Sequence, residues 1–301
     1  MDIDLLIVAF GLGVGILVGT TGMGGGSIMT PLLILVVGTA PAAAIGTDLA
    51  YAAVTKTVGG WRHLRAKTVD IRLCIWLGFG SVPGAVVGVW LLHVLQRRLG
   101  ANFDDVIIYA LAGALLLTAA AVLARALFIP EHLRVERESS DLHLTSTRAG
   151  TVAFGFVVGV VLGTTSAGSG ALIALGLILF YKLSPRRVVG TDVAHAAILL
   201  WVASIGHMIT GNVDYGLAGN ILIGSIPGVW IGAHLATRLP TQGLRPLLGV
   251  VLLAAGLGLL TKAGVAIPPV AIVGAPAAAG LAAFIVHRLR PVPVIQPEPV
   301  A

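Results

Sequence analysis

Two aspartates stand where an apolar residue would be expected. Asp48 and Asp192 each follow a Gly-Thr pair, Gly46-Thr47 and Gly190-Thr191, inside apolar runs and one to two helical turns from the nearest loop. A carboxylate at that depth is costly unless it is paired, hydrated or protonated, which makes both residues candidates for proton or substrate coupling. The Gly-Thr step also fits a helix that opens locally or begins again there, with the aspartate as its N-cap. Both readings remain open from the residues alone. His195 follows Asp192 by three residues and so shares its helix face, where it could take a proton or help admit an anion. Lys56 lies two turns after Asp48, and its long stem predicts a side chain that snorkels to the inner membrane surface. His63 and His207 fall near helix ends and are expected at the membrane interface.

The second chemical signal is a pair of small-residue segments, Thr20-Thr21-Gly22-Met23-Gly24-Gly25-Gly26-Ser27 and Thr164-Thr165-Ser166-Ala167-Gly168-Ser169-Gly170. Glycines this dense do not hold a regular helix, because each costs up to about 1 kcal/mol relative to alanine and opens left-handed conformations. Irregular backbone at membrane depth survives only inside protein or along a water-filled cavity. Freed N–H groups and hydroxyls in such a turn would suit a small anion, held by helix N-terminal dipoles without a fixed cation. The candidate substrate-binding residues are therefore Thr20, Thr21, Gly22, Gly24, Gly25 and Gly26 with Thr164, Thr165, Ser166, Gly168, Ser169 and Gly170. Gly11, Gly15 and Gly19, spaced by four, read instead as a close-packing stripe.

These residues recur at a fixed offset. Phe10-Gly11 returns as Phe154-Gly155, 144 residues later, followed in order by Gly163-Thr164-Thr165, Gly190-Thr191-Asp192, His207, Asp214 and Gly224-Ser225-x-Pro227-Gly228. Aligning 10–91 with 154–235 without a gap leaves about 30 identities in 82 positions. The chain thus reads as two homologous halves, 1–128 and 149–290, joined by a polar linker at 129–148 and followed by a Pro-rich, disordered tail at 291–301. The match is imperfect where chemistry matters, since Leu200 stands opposite Lys56, and Ser166 and Ser169 stand opposite Gly22 and Gly25.

Composition sets the solvent. The chain is 57% hydrophobic and 11% charged, with mean hydropathy near +0.99, whereas soluble domains carry about a quarter charged residues. Runs such as Leu73–Leu95 and Val106–Phe128 are long enough to cross a hydrocarbon layer of roughly 30 Å. The fold class expected is an all-α polytopic membrane protein, with either about eleven or about seven crossings according to whether the Gly-rich pairs cross or re-enter. The net charge of +6 sits in short loops, as orienting loops do, and indicates no nucleic-acid partner. The basic stretch Arg62–Arg72 corresponds to a second-half loop without Lys or Arg, whereas the uncharged turn at Gly38 corresponds to the basic Lys182–Arg187. Equivalent loops then face opposite sides, so the halves are expected to be inverted, with the N-terminus outside and the C-terminus inside. Met1-Asp2-Ile3-Asp4 carries no basic n-region, so the first apolar segment is expected to be retained. The single cysteine, Cys74, is read as a core residue.

Gly11-x-x-x-Gly15-x-x-x-Gly19, the turn at 22–26, Pro31-Leu32-Leu33, Gly46-Thr47-Asp48 and their repeat together resemble the sulfite exporter TauE/SafE family. The resemblance implies a prokaryotic inner-membrane transporter of sulfite, an organosulfonate or a related small sulfur-containing anion. An exporter working by alternating access of two inverted repeats is the expected function, with an anion channel lined by the same segments as the alternative. No catalytic group, metal or cofactor is expected. Ser166 and Ser169 with His195 or His207 make no convincing hydrolase, since the serines lack a Gly-x-Ser-x-Gly setting. The Gly-rich turns lack the Lys-Ser/Thr of a phosphate loop, so ATP is not an expected partner.

Overall fold

The structure is a computed structural model, and it describes residues 3–21, 26–128, 145–167, 170–236 and 241–289. Among these residues the chain is helical and contains no β-strand. The first half comprises α1 (Leu5–Thr21), α2 (Gly26–Leu32) with a π-helical continuation at Leu33–Val37, α3 (Pro41–Arg65), α4 (Ile71–Leu99) and α5 (Phe103–Phe128). The second comprises α6 (Thr145–Thr165), α7 (Ala171–Leu179), α8 (Pro185–Ile209), α9 (Tyr215–Ala236), α10 (Thr241–Lys262) and α11 (Pro269–Leu289). By length and composition the apolar stretches Ile71–Ala124, Thr147–Thr165 and Arg186–Ile209 can cross a membrane. Shorter apolar helices accompany them at Leu5–Thr20, Ile28–Val37, Leu247–Lys262 and Pro269–Ala283. This is an all-α, multi-pass membrane protein. The helix α6 already covers 145–148, the end of the segment read as linker, while 129–144 and the tail at 291–301 lie outside the described residues.

Local signals set the helix boundaries, and they do so in matched pairs. Pro41 and Pro185 open α3 and α8 at the first turn, where a missing N–H costs nothing. Asp70 and Asp214 accept from the N–H of Leu73 and Leu217 and so cap α4 and α9. The chain leaves α3 at Lys67 (φ 54°) and α8 at Gly211 (φ 75°), both left-handed and 144 positions apart. Gly38 (φ 77°) and Lys182 (φ 53°) form a second such pair. Near the end of the π-helical turn, Lys262 Nζ donates to the carbonyl of Ile34 at 2.5 Å, placing a cation on a helix C-terminus.

Glycine determines which helices meet. The face of α1 carrying Gly11 and Gly15 lies against the backbone of α9 at Ile221 and Ser225. The equivalent face of α6, Gly155 and Gly159, lies against α4 at Leu77 and Ser81. Each half's first helix therefore packs on the other half's fourth, and the contact residues exchange at the repeat offset. Gly80 and Gly84 on α4, and Gly224 and Gly228 on α9, complete the close approach from the other side. Both fourth helices run on through Pro83 and Pro227.

Between these pairs, α3 packs on α8. Gly60 meets Ala194, while the opposite end of α3, at Gly46, meets Asn212 beyond the end of α8, so the two helices run antiparallel. Near the middle of the seam Trp201 Nε1 donates to Thr57 Oγ1 at 2.8 Å, a bond between two residues that are repeat equivalents of one another. The main apolar core surrounds this seam with Leu49, Tyr51, Leu111, Leu115, Leu199 and Leu252, all fully or almost fully buried.

Candidate functional site

The polar residues of the α3–α8 seam gather into two centres. Asp48 and Asp192 lie two turns inside unbroken helices, which overturns their reading as N-caps: Pro41 and Pro185 start these helices seven residues earlier. The Gly-Thr pair before each aspartate does something else. Gly46 and Gly190 let the backbone at Asn212 and Thr68 approach, and Thr47 and Thr191 accept the N–H of Asp214 and Asp70 at 3.0 and 2.9 Å. Each Gly-Thr-Asp thus ties the loop of the opposite half down and points a carboxylate into the protein.

At the first centre, Thr30 Oγ1 of α2 and Ser166 Oγ, just beyond α6, both donate to Asp48 Oδ2, at 2.5 and 2.8 Å. Asp48 Oδ1 has no hydrogen-bond partner among the described residues, and the residue is fully buried. Ser166 reaches it from a left-handed conformation, φ 56°, which turns the chain out of α6. Tyr51, one turn on, is also buried, and its hydroxyl has no partner among the described residues.

At the second centre, Lys56 Nζ lies 3.4 Å from Asp192 Oδ2, and both residues are at most 5% exposed. Lys56 is therefore buried and paired across the halves, and the expected snorkelling does not occur. A salt bridge costs less in this interior than an unpaired ammonium beneath a packed helix. His195 Nε2 shares a hydrogen bond with Ser81 Oγ at 2.8 Å, which ties α8 to α4, while Nδ1 has no partner among the described residues. The two centres are unequal at equivalent positions: Tyr51 matches His195, Leu200 matches Lys56, and Ala174 matches Thr30.

The hydroxyls expected to face a solute are largely engaged within their own helices. Thr20 donates to Leu17 O, Thr164 to Val160 O and Thr165 to Val161 O, each a turn back. Of the other candidates, Gly26 begins α2 and Gly170 precedes α7, and Thr21 closes α1. Gly22, Gly24, Gly25, Gly168 and Ser169 lie outside the described residues. From the second-half segment, Ser166 meets Asp48 of the first half. His207 is also buried rather than interfacial, with Nε2 on the carbonyl of Gly163 at 2.9 Å. His63 is half-buried and bonds Thr68.

Three participants escaped the reading of the sequence. Thr30 has no repeat equivalent to flag it, Tyr51 looks like an ordinary core aromatic, and Ser81 was visible only as part of Gly-Ser-x-Pro-Gly.

Residues 7–259 match the family model described as sulfite exporter TauE/SafE. The chain belongs to that family. It is 41% identical over 254 residues to a Bacillus subtilis protein named "Probable membrane transporter protein YjnA", covering 84% of this chain and 98% of that one. A second B. subtilis relative, "Probable membrane transporter protein YdhB", is 30% identical over 256 residues, 85% of this chain and all of its own length. A Xylella fastidiosa "Probable membrane transporter protein" is 29% identical over 266 residues, covering 84% and 94%. No solved structure matches the chain. As a TauE/SafE member, the protein is a membrane transporter.

Proposed function

We propose that this protein is a secondary transporter, running as an exporter, of a small sulfur-containing oxyanion such as sulfite or an organosulfonate, and that it has no enzymatic activity. The observation that carries the reading is the buried polar seam between α3 and α8. Ionisable groups inside a membrane bundle are retained for solute or proton handling, and here they come from both halves. Two homologous halves of inverted topology would rock about this seam and expose it to one side and then the other.

Inversion is supported by the direction of the helices. A two-fold relation that sets equivalent helices antiparallel, as α3 and α8 are, has its axis across the helix direction and so in the membrane plane. The distribution of basic loops, Arg97-Arg98 excepted, supports an N-terminus outside and a C-terminus inside a prokaryotic plasma membrane. The anion would be met by the small-residue segments at 20–26 and 164–170, with the Lys56–Asp192 pair and His195 on the same α3–α8 seam. Thr20, Thr21, Thr164 and Thr165 belong to the same proposed segments.

The test is flux in proteoliposomes. Saturable counterflow of sulfite, thiosulfate or a small sulfonate, without ATP, is expected, together with loss of flux in Lys56→Met. Single-channel currents would replace the carrier with an anion pore.

A further inference from the structure

The two aspartates share one repeat position but not one electrostatic solution. Asp192 has a cation built in, the ammonium of Lys56 at 3.4 Å. In the other half the residue in register with Lys56 is Leu200, which is fully buried. Asp48 receives two hydroxyl protons on Oδ2, from Thr30 and Ser166, and its bare Oδ1 is sealed from solvent. Hydroxyl donors lower the cost of a buried carboxylate, but they do not cancel a full charge taken out of water.

The elements packed around Asp48 bring no such charge. On α3 itself the nearest titratable group is Tyr51, a neutral phenol. From α8, His207 has Nε2 engaged by Gly163 O, while His195 and Asp192 belong to the other centre. Asp214, at the start of α9, caps Leu217 and is exposed, as is its neighbour Tyr215. From α5, Asp104 and Asp105 are exposed, and Tyr109 donates to Ala263 O. From α10, Lys262 is held by Ile34 O. A metal ion is a poor substitute, because sodium or calcium wants several oxygens. Oδ1 is the single unspent carboxylate oxygen at this centre, and no cluster of three or more His, Cys, Asp or Glu occurs among the described residues.

We propose that Asp48 is the exchangeable proton site of the transport cycle, and that Lys56 is its covalently tethered counterpart at Asp192. Oδ1 takes one proton when the halves open Asp48 to water on one side and releases it when they open on the opposite side. The centre is neutral while enclosed and anionic when open to water. At Asp192 the ammonium does the same neutralising work but cannot leave, so that centre stays fixed while Asp48 cycles. This inference rests on the transporter reading and names the coupling ion for it.

The experiment is an infrared pH titration of the purified full-length protein in lipid nanodiscs. One carboxylic-acid C=O band should be present at neutral pH, where exposed carboxyls are ionised, and bleach at alkaline pH. It should be absent in Asp48→Asn and retained in Asp192→Asn. In Leu200→Lys, where a tethered ammonium takes the proton's place, it should also disappear. A wild type with no such band at neutral pH, or a neutral-pH band that survives Asp48→Asn, overturns the proposal. So does a band bleached by sodium at constant pH, which would assign the site to a metal cation.

A second arm separates the two readings. In proteoliposomes, sulfite flux should carry protons reported by a trapped pH dye, and its pH dependence should flatten in Asp48→Asn. Sulfite flux with no proton movement sinks the coupling and spares the transporter; an intact Asp48 band with no flux of any anion spares the proton site and sinks the transporter.

Discussion

Removing Lys56 should destabilise the protein far more than removing the whole ion pair. The ammonium and Asp192 sit 3.4 Å apart in an interior where both side chains are 6% exposed, so neither charge falls back on water when the other is lost. Breaking a buried pair from one side costs about 3–5 kcal/mol, whereas exchanging both partners for apolar residues of similar volume is often neutral or stabilising. For a chain of this size each kcal/mol moves the melting temperature by roughly 2 °C. Lys56→Met and Asp192→Asn should therefore each lower it by about 6–10 °C, while Lys56→Met/Asp192→Leu should return to within about 2 °C of the wild type. Tryptophan fluorescence melts in one detergent provide the assay, with Trp201, bonded to Thr57 on the same seam, as a local reporter. If the single losses simply add in the double variant, the two residues do not form a unit and the fixed-centre argument fails. A double variant that keeps its stability but loses flux would separate the structural role of the pair from its role in transport.

Other consequences are as direct. Gly159→Leu should cost at least about 3 kcal/mol, because even a Cβ there meets the backbone of Ser81 and a helix must move; Gly78→Ala, which faces open space, should be neutral or stabilising by up to about 1 kcal/mol in the same melts. Ser166→Ala should lower stability by about 1–3 kcal/mol through the lost bond to Asp48, and Ser166→Val by more, since a β-branched residue resists φ 56°; equal melting temperatures for the two would contradict the strained-turn geometry. In a Cys74→Ala background, Ala40→Cys should label from outside and Arg186→Cys from inside with a membrane-impermeant thiol reagent. Labelling from one side alone would defeat the inverted arrangement.

The repeat, the glycine stripes and Gly-Thr-Asp were legible in the sequence because each is a local constraint written twice. Gly11 and Gly15 announce close packing wherever their partner lies. The membrane environment followed from composition, since a chain with so few charges cannot cover a water-soluble surface. The position of the aspartates within their helices was harder to read. Gly-Thr ahead of Asp looks like a helix start, and only the packing of Gly46 on Asn212 and Gly190 on Thr68 explains those glycines without one.

What the tertiary structure alone decided is which charge meets which. Lys56 and Asp192 are 136 residues apart, and Ser166 and Asp48 are 118 apart. No periodicity or local spacing encodes such pairs, which exist because each half's first helix docks on the other half's fourth and draws α3 against α8. The sequence by itself determined that an aspartate would stand at the same place in both halves. The fold determined that one receives a lysine and the other two hydroxyls, because a buried charge is settled by whatever the surrounding elements bring within hydrogen-bond reach.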